Sequence, residues 1–388
     1  MIANKNYIHS FFKLLYLFIN LLFLCKYGIR QNIISVYLLV ILYVLIAGVF
    51  LFKNPLHTEI AEKLAFKHYF KATVVIVFIA ILTITIMTDG NALKVDRWSA
   101  MDVAVQALSH GDYPYTATDH LNGRTSNFPG LLLIGLPFYL LGNVGYLQAA
   151  SFLLLAFTLY KTLPIKIAFH YLVLLLMAPA YWWEIFSISD LFSNMILVFC
   201  FVVLLKQKWK QDIFKHPVFL GISTSFLVLT RGITAIPLIL LVFKDFCKIS
   251  FQKQWQYASA FVLTFALLIL MVLINCPDFE TLKSYNPLVL QTSYLPNYIL
   301  GMALLLPFYF SFKIKSFEND FFFWTSLLLS FPTLLAFFIR LSTMGIERIL
   351  IGSYFDLSYL SIIIPFMLYE IVNEQHVNTS HQSKEALT

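Results

Sequence analysis

Residues 88–142 read TDGNALKVDRWSAMDVAVQALSHGDYPYTATDHLNGRTSNFPGLLLIGLPFYLLG, and the rest of the chain is organised around them. The stretch holds five aspartates, Asp89, Asp96, Asp102, Asp112 and Asp119, against Lys94, Arg97 and Arg124. Trp98, Met101, Val105 and Leu108 recur at helical spacing, while Asp96, Ser99, Gln106 and His110 form another stripe. That pattern predicts an amphipathic helix, stopped by Gly111 and Pro114. A second helix is expected over 131–141, started by Pro129 and ended near Gly142.

Outside this stretch the chain is mostly apolar. Hydrophobic residues make up 60% and charged ones 12% of its 388 residues, whereas soluble domains carry about 25% charged residues. Apolar runs fall at 10–25, 33–52, 72–88, 144–160, 165–180, 191–205, 218–230, 233–243, 257–274, 296–312, 321–339 and 349–368. A membrane span needs about 20 such residues, with roughly 17–25 tolerated. The 39 Phe and 21 Tyr suit lipid-facing and interfacial positions. The expected fold is therefore all-α, a polytopic membrane protein of about twelve transmembrane helices. It is read as one integral membrane domain over 1–388: N-terminal helices 1–71, a core 72–243 with an outer loop 89–142, C-terminal helices 244–370 and a cytoplasmic tail 371–388.

Orientation follows from the basic residues, which gather on the cytoplasmic side. Lys53, Lys63, Lys67 and Lys71 mark one inner loop, and Lys206, Lys208, Lys210 and Lys215 a second. Lys244, Lys248 and Lys253 mark a third, Lys313 and Lys315 a fourth. The acid-rich stretch 89–127 then lies outside. Parity requires an odd number of spans between Asn127 and Lys206, and counting 131–141 makes it even. At about 1.5 Å per residue that segment covers roughly 16–17 Å of a ~30 Å layer. It is read as a juxtamembrane or re-entrant helix on the outer side, with the amphipathic helix lying on the membrane beside it. Pro217 to Phe243 is an up-and-down pair of short helices with Arg231-Gly232 as its outer turn. Lys26 and Arg30 break the pattern, since they fall outside if the first segment spans.

The net charge of +7 serves topology in this setting, and nucleic-acid binding is excluded. Cys25, Cys200, Cys247 and Cys276 show neither metal-site nor disulfide spacing. Lys13 interrupts the first apolar run and no small-residue cleavage site follows, so a retained anchor is expected there. The polar residues after Glu370 read as a disordered tail.

Among residues able to carry chemistry, an acid heading the amphipathic helix suits a general base towards a hydroxyl. Asp96 occupies that place; it is equally a good helix N-cap, and Asp89 equally a flank to a spanning helix. Outer-face cations able to hold an anion are Arg97, Arg124, Arg231, Arg340 and Arg348, any of which also suits lipid headgroups. Arg231 stands out, because two short helices restrict it. Asp190 follows the aromatic run Tyr181-Trp182-Trp183, which suits either binding of sugar hydroxyls or an N-cap beside an aromatic belt. Asp356, in the last apolar run, is either functional or buried against a polar neighbour. His110 and His120 have no second ligand at metal spacing.

The run DRWSAMDVAVQALSHGDYPY followed by SNFPGLLLIGLPFYLLG resembles the first periplasmic loop of bacterial C-type (GT-C) glycosyltransferases. The shared elements are Asp96, the G-x-x-P-Y element Gly111 to Tyr115, Phe128-Pro129 and Gly142. Ala178-Pro179-Ala180 with Asp190, and Thr230-Arg231 ten residues after Gly221, extend the likeness over residues 72–243. Many relatives carry tandem prolines where this chain has Pro129-Gly130.

The resemblance implies a GT-C-like fold and an inverting, mannosyltransferase-like enzyme of the bacterial inner membrane with its site facing the periplasm. The donor would be a polyprenyl-phosphate sugar, the acceptor a glycan, glycolipid or protein, and membrane lipid the surroundings. Asp96 would be the catalytic base with Asp89 as runner-up, and Arg231, Arg348, Arg97, Arg124, Asp190 and Tyr115 would bind substrate. No cofactor is implied; carboxylates are few and scattered, so a metal-free reaction is the simpler reading and a divalent ion is left open. Two other classes stay in view: a transporter or flippase of lipid-linked saccharides, and an envelope polysaccharide polymerase or ligase. Transporters tend to show matched halves with broken helices, and the acidic loop has no counterpart in the second half of this chain.

Overall fold

The computed structural model describes residues 2–31, 33–53, 63–210, 212–352 and 354–385. Among them all regular structure is helical apart from one isolated antiparallel bridge, Thr118 to Arg124, as an all-α reading requires. The centre of the first basic loop, residues 54–62, lies outside the described residues. Five helices among the described residues are long and apolar enough to cross a membrane: Ser10–Gln31, Ala65–Met87, Leu191–Lys208, Phe251–Leu273 and Phe322–Leu350. Two bent pairs raise the number to seven if each is one span: Ile165–Leu176 with Pro179–Phe186 at 66°, and Phe279–Thr292 with Asn297–Ser311 at 65°. Other apolar runs form shorter helices, among them Val36–Phe52, Pro129–Leu140 and Pro217–Val228.

The chain divides into two compact units. One comprises residues 78–158 and 185–313. Within it the sequence motifs fold much as their spacing predicts. Helix Arg97–His110 ends at Gly111, whose φ of +80° is the left-handed cap that glycine adopts without a Cβ penalty. Helix Pro129–Leu140 opens with proline at its first turn, where the missing N–H has no helical partner to lose. These two helices pack together through Met101, Ala104, Val105, Leu131 and Leu132, all buried. Met101 packs into the space left by Gly135, where a Cβ would stand 2.3 Å from Met101 Cε. Each large apolar side chain so buried contributes about 1.5–3 kcal/mol. The stripe expected to lie on the membrane is thus taken up by a protein helix. Ser99, assigned to the wet stripe, is also buried, its hydroxyl 2.5 Å from His120 Nδ1.

The other unit comprises residues 1–77, 159–184 and 314–388. Its helix Ile2–Gln31 carries Lys26 and Arg30 one turn apart on one face. Arg30 Nη2 donates to the carbonyls of Leu350 (3.4 Å) and Ile351 (3.0 Å), and Lys26 Nζ to that of Phe355 (3.3 Å). Carbonyls at a helix C-terminus have no helical donor and carry partial negative charge, so cations are favoured there. Of the two basic residues that sat awkwardly with the charge count, Arg30 is thus held by the end of helix Phe322–Leu350 and Lys26 by a carbonyl of the loop that follows it. The helix break after Leu176 is supported by Asn20, whose Oδ1 accepts from Ala180 N–H at 3.2 Å. The last helix runs Ile364–Glu385, where the sequence suggested a disordered tail. Its polar end contains no Gly or Pro to interrupt it.

Candidate functional site

Three interruptions of regular structure meet within the unit of residues 78–158 and 185–313. The first is the extended approach to Pro129. The second precedes helix Leu191–Lys208, where Ile188 has φ +49°, a conformation costly for a β-branched residue. It is held by its own N–H on the Ile185 carbonyl (3.1 Å) and by Gln148 Nε2 on the Ser189 carbonyl (3.0 Å). The third is the break between helices Pro217–Val228 and Ala235–Phe246, where Arg231 is extended (φ −157°) and Gly232–Thr234 forms one 3-10 turn. One carbonyl released by that break is re-used: the Thr230 and Thr234 hydroxyls both donate to Leu227 O, at 2.6 and 2.8 Å.

The first and third interruptions lie side by side. Gly130 N–H donates to Leu229 O (2.7 Å) and Phe128 N–H to Thr230 O (3.4 Å). A Cβ on Gly130 would stand 2.5 Å from Phe226 O and 2.8 Å from Leu229 O. This accounts for glycine where the resembled pattern has a second proline: the position needs an N–H and has no room for a ring. Gln291, from helix Pro287–Thr292, bridges the same two chains, its Nε2 donating to Ser126 O (2.5 Å) and its Oε1 accepting from Gly232 N–H (2.9 Å).

These ties bring Arg231, Asp190 and Asn127 together. Arg231 Nη2 donates to Asp190 Oδ2 at 2.6 Å and to Asn127 Oδ1 at 2.7 Å. All three residues are buried, at 4%, 5% and 4% exposure, so each charge depends on its partner, an unpaired charge there being strongly unfavourable. Asp190 occupies the N-cap position of helix Leu191–Lys208 yet makes no side-chain cap, its carboxylate going to Arg231 instead. Arg231 Nε is buried with no hydrogen-bond partner among the described residues, as are both amide atoms of Asn194, one turn along from Asp190. Buried donors and acceptors are ordinarily satisfied, so this is a polar interior with capacity for additional hydrogen bonds.

The remaining expected residues are distributed as follows. Asp96 stands at the N-cap position of helix Arg97–His110, half-buried, and its carboxylate caps no N–H. Among the described residues its carboxylate has neither a hydrogen bond nor an ion pair, while its backbone carbonyl accepts from Ser99 Oγ (3.2 Å) and Ala100 N–H (2.8 Å). Asp89 is exposed and caps the turn Gly90–Ala92 through Asn91 N–H (2.9 Å). Arg97 is the half-buried first residue of its helix. Arg124 is exposed, stacked 4.1 Å over the Tyr285 ring and donating to Ser284 O at 3.2 Å. Tyr115 is buried edge-on to Tyr113, ring centres 5.4 Å apart. Burial pushes the Tyr113 phenol up to about 12, with Cys276 adding to it, and raises Tyr115 as well.

Arg340 and Arg348 belong to the other unit, either side of a break at Gly345 (φ +79°), and Arg348 is exposed. Asp356 is not on that helix or inside a continuous apolar one; it precedes the short helix Ser358–Ser361 and accepts from Ser358 N–H (2.9 Å) and hydroxyl (2.7 Å), a polar neighbour of the kind its place in the last apolar run called for. His120 is structural, its Nε2 2.8 Å from the Leu93 carbonyl.

Asn127, Asn194 and Gln291 escaped the sequence reading, and so did Asp102, whose carboxyl burial holds above the usual range. For Asn194 the signal was an amide inside an otherwise apolar helix. Asn127 and Gln291 gave none, because their contacts join distant loops. Among the described residues no three His, Cys, Asp or Glu gather as metal ligands. An apolar groove of about 520 Å³ is lined by Phe138, Leu154, Leu197, Phe201, Phe226 and Leu227, among others. Comparison with protein-family models, curated proteins and solved structures found no match to this chain.

Proposed function

We propose that this chain is an integral membrane glycosyltransferase of the GT-C type, with about twelve spans in a bacterial inner membrane and its site towards the periplasm. It moves a sugar from a polyprenyl-phosphate donor to a glycan, glycolipid or protein acceptor. The observation that carries the reading is Asp96: a half-buried carboxylate at a helix entrance, engaged neither as a cap nor in an ion pair. Asp89 differs, its Oδ1 being occupied by Asn91 N–H. A free carboxylate at such a place can take the proton of an acceptor hydroxyl. The hydroxyl oxygen then bonds to the anomeric carbon as the carbon–oxygen bond to phosphate breaks, inverting configuration. The polyprenyl phosphate leaves with the bonding electrons, and a guanidinium offsets its charge. Arg231 supports that role through its buried, unpartnered Nε–H, and the apolar groove offers room for a prenyl chain. A divalent ion is left open.

The test is transfer from a synthetic polyprenyl-phosphate sugar in membranes containing the protein. Asp96→Asn should abolish transfer at unchanged expression while Asp89→Asn retains it. Loss only in Asp89→Asn moves the base, and no transfer from any such donor ends the reading. A second reading is a flippase of lipid-linked saccharides. It is favoured by the helix breaks that meet at Asp190 and Arg231, since transporters bind substrate at interrupted helices. Donor-independent movement of such a lipid across vesicles would select it.

A further inference from the structure

Gln291 and Ser126 are 165 residues apart in sequence, yet Gln291 fastens the backbone on both sides of the buried cluster. It grips the residue before Asn127 through Ser126 O and the residue after Arg231 through Gly232 N–H. The orientation of its amide is fixed by chemistry: a carbonyl only accepts and a backbone N–H only donates, so a flipped amide loses both bonds. The two chains it joins are tied again beyond the cluster by the Gly130 to Leu229 bond. Between these ties Arg231 Nη2 serves both Asp190 and Asn127, and Nε faces no acceptor. The segment bearing Gln291 is anchored beside the first loop by Arg124 over Tyr285 and by Leu282 and Tyr285 packed against the Tyr113 and Tyr115 pair.

We propose that Gln291 is a positioning residue for the Arg231 guanidinium. The later loop supplies it, and its bridge determines which arginine N–H groups remain for an anionic oxygen. The role rests on the reading of Arg231 as the group that holds the departing phosphate. Displacing such a group by about 1 Å costs on the order of 100-fold in rate.

The experiment uses the full chain in membranes and three variants. Gln291→Met keeps the length and loses both bonds; Gln291→Glu keeps the acceptor for Gly232 and loses the donor to Ser126. Val289→Ala, on the same helix and 59% exposed, is the control. Hydrogen exchange at Gly232 and kinetics with a synthetic polyprenyl-phosphate sugar are both measured. Gln291→Met should exchange faster at Gly232 and lose up to about 100-fold in kcat with little change in KM. Gln291→Glu should fall between it and wild type, and Val289→Ala should match wild type.

Unchanged exchange at Gly232, or faster exchange with unchanged kcat, overturns the positioning role alone. A fall in Val289→Ala equal to that in Gln291→Met overturns it too, as general loss of the helix. Absence of transfer by wild type removes the parent reading, and this proposal with it.

Discussion

Asp190 and Arg231 meet across breaks in two different helices, their charged atoms 2.6 Å apart and each side chain 5% exposed. Each of the two side chains stands where the backbone leaves helical geometry. Here Ile188 is left-handed and Arg231 is extended, and the conformation of Ile188, which costs about 1–3 kcal/mol, is held by the structure around it. Asn127 adds a neutral acceptor without a second negative charge.

The pair should therefore behave as one unit in stability. Asp190→Asn or Arg231→Gln leaves an uncompensated buried charge and should cost about 3–5 kcal/mol each. The double variant should cost clearly less than the sum of the two. Thermal unfolding of the purified protein in one detergent, at one scan rate, gives the comparison. Strict additivity would mean that the charges do not depend on one another in the folded protein.

Gly130 gives a sharper steric prediction. Its absent Cβ faces backbone oxygens of Phe226 and Leu229, which cannot swing aside as a side chain would. Gly130→Ala should destabilise by about 1–3 kcal/mol through overpacking. Gly130→Pro should lose the N–H bond to Leu229 as well, about 1 kcal/mol more. Gly301, inside helix Asn297–Ser311 with nothing within 4 Å of its missing Cβ, is the control. Gly301→Ala should be neutral or stabilise by up to about 1 kcal/mol. Equal effects at the two positions would show that the crowding is not real.

Much of this local architecture is legible in the sequence, because it rests on short-range chemistry. Pro129 and Gly111 punctuate helices wherever they stand, and the 98–108 stripe follows from periodicity alone. What the stripe packs on is not legible, since a lipid surface and the Gly135 face of another helix demand the same apolar residues. Charge counting is silent on what Lys26 and Arg30 do for a related reason: it records their charge and not the distant carbonyls they bond. Asn127 and Gln291 act through bonds to distant backbone, which no local pattern records.

Asp102 predicts a pH dependence. It is half-buried on helix Arg97–His110, and burial holds its carboxyl above the usual range. A folded-state value raised above the unfolded one, ordinarily about 3.9, means that the ionised form is disfavoured by folding. The cost is absent below the unfolded value and grows as pH rises through the folded one. Asp102→Asn should thus raise the unfolding midpoint at pH 7 and leave it unchanged near pH 3. The same gain at both pH values would assign the effect to something other than ionisation.

Topology is the remaining prediction, and the structure makes its test clean. Thr118 and Gln207 are both exposed on the protein, so the fold itself hides neither cysteine placed there. The four native cysteines must first be replaced, because Cys247 is exposed and Cys25 and Cys276 are partly so. In that background Thr118→Cys should react with an impermeant maleimide added to intact cells. Gln207→Cys should react only after the membrane is opened. The gathering of Lys206, Lys208, Lys210 and Lys215 near Gln207 fixes the expected sense, since basic loops stay cytoplasmic. Reversed labelling would put Asp96 on the cytoplasmic side, where the proposed acceptors are not displayed, and the glycosyltransferase reading would lose its geometry.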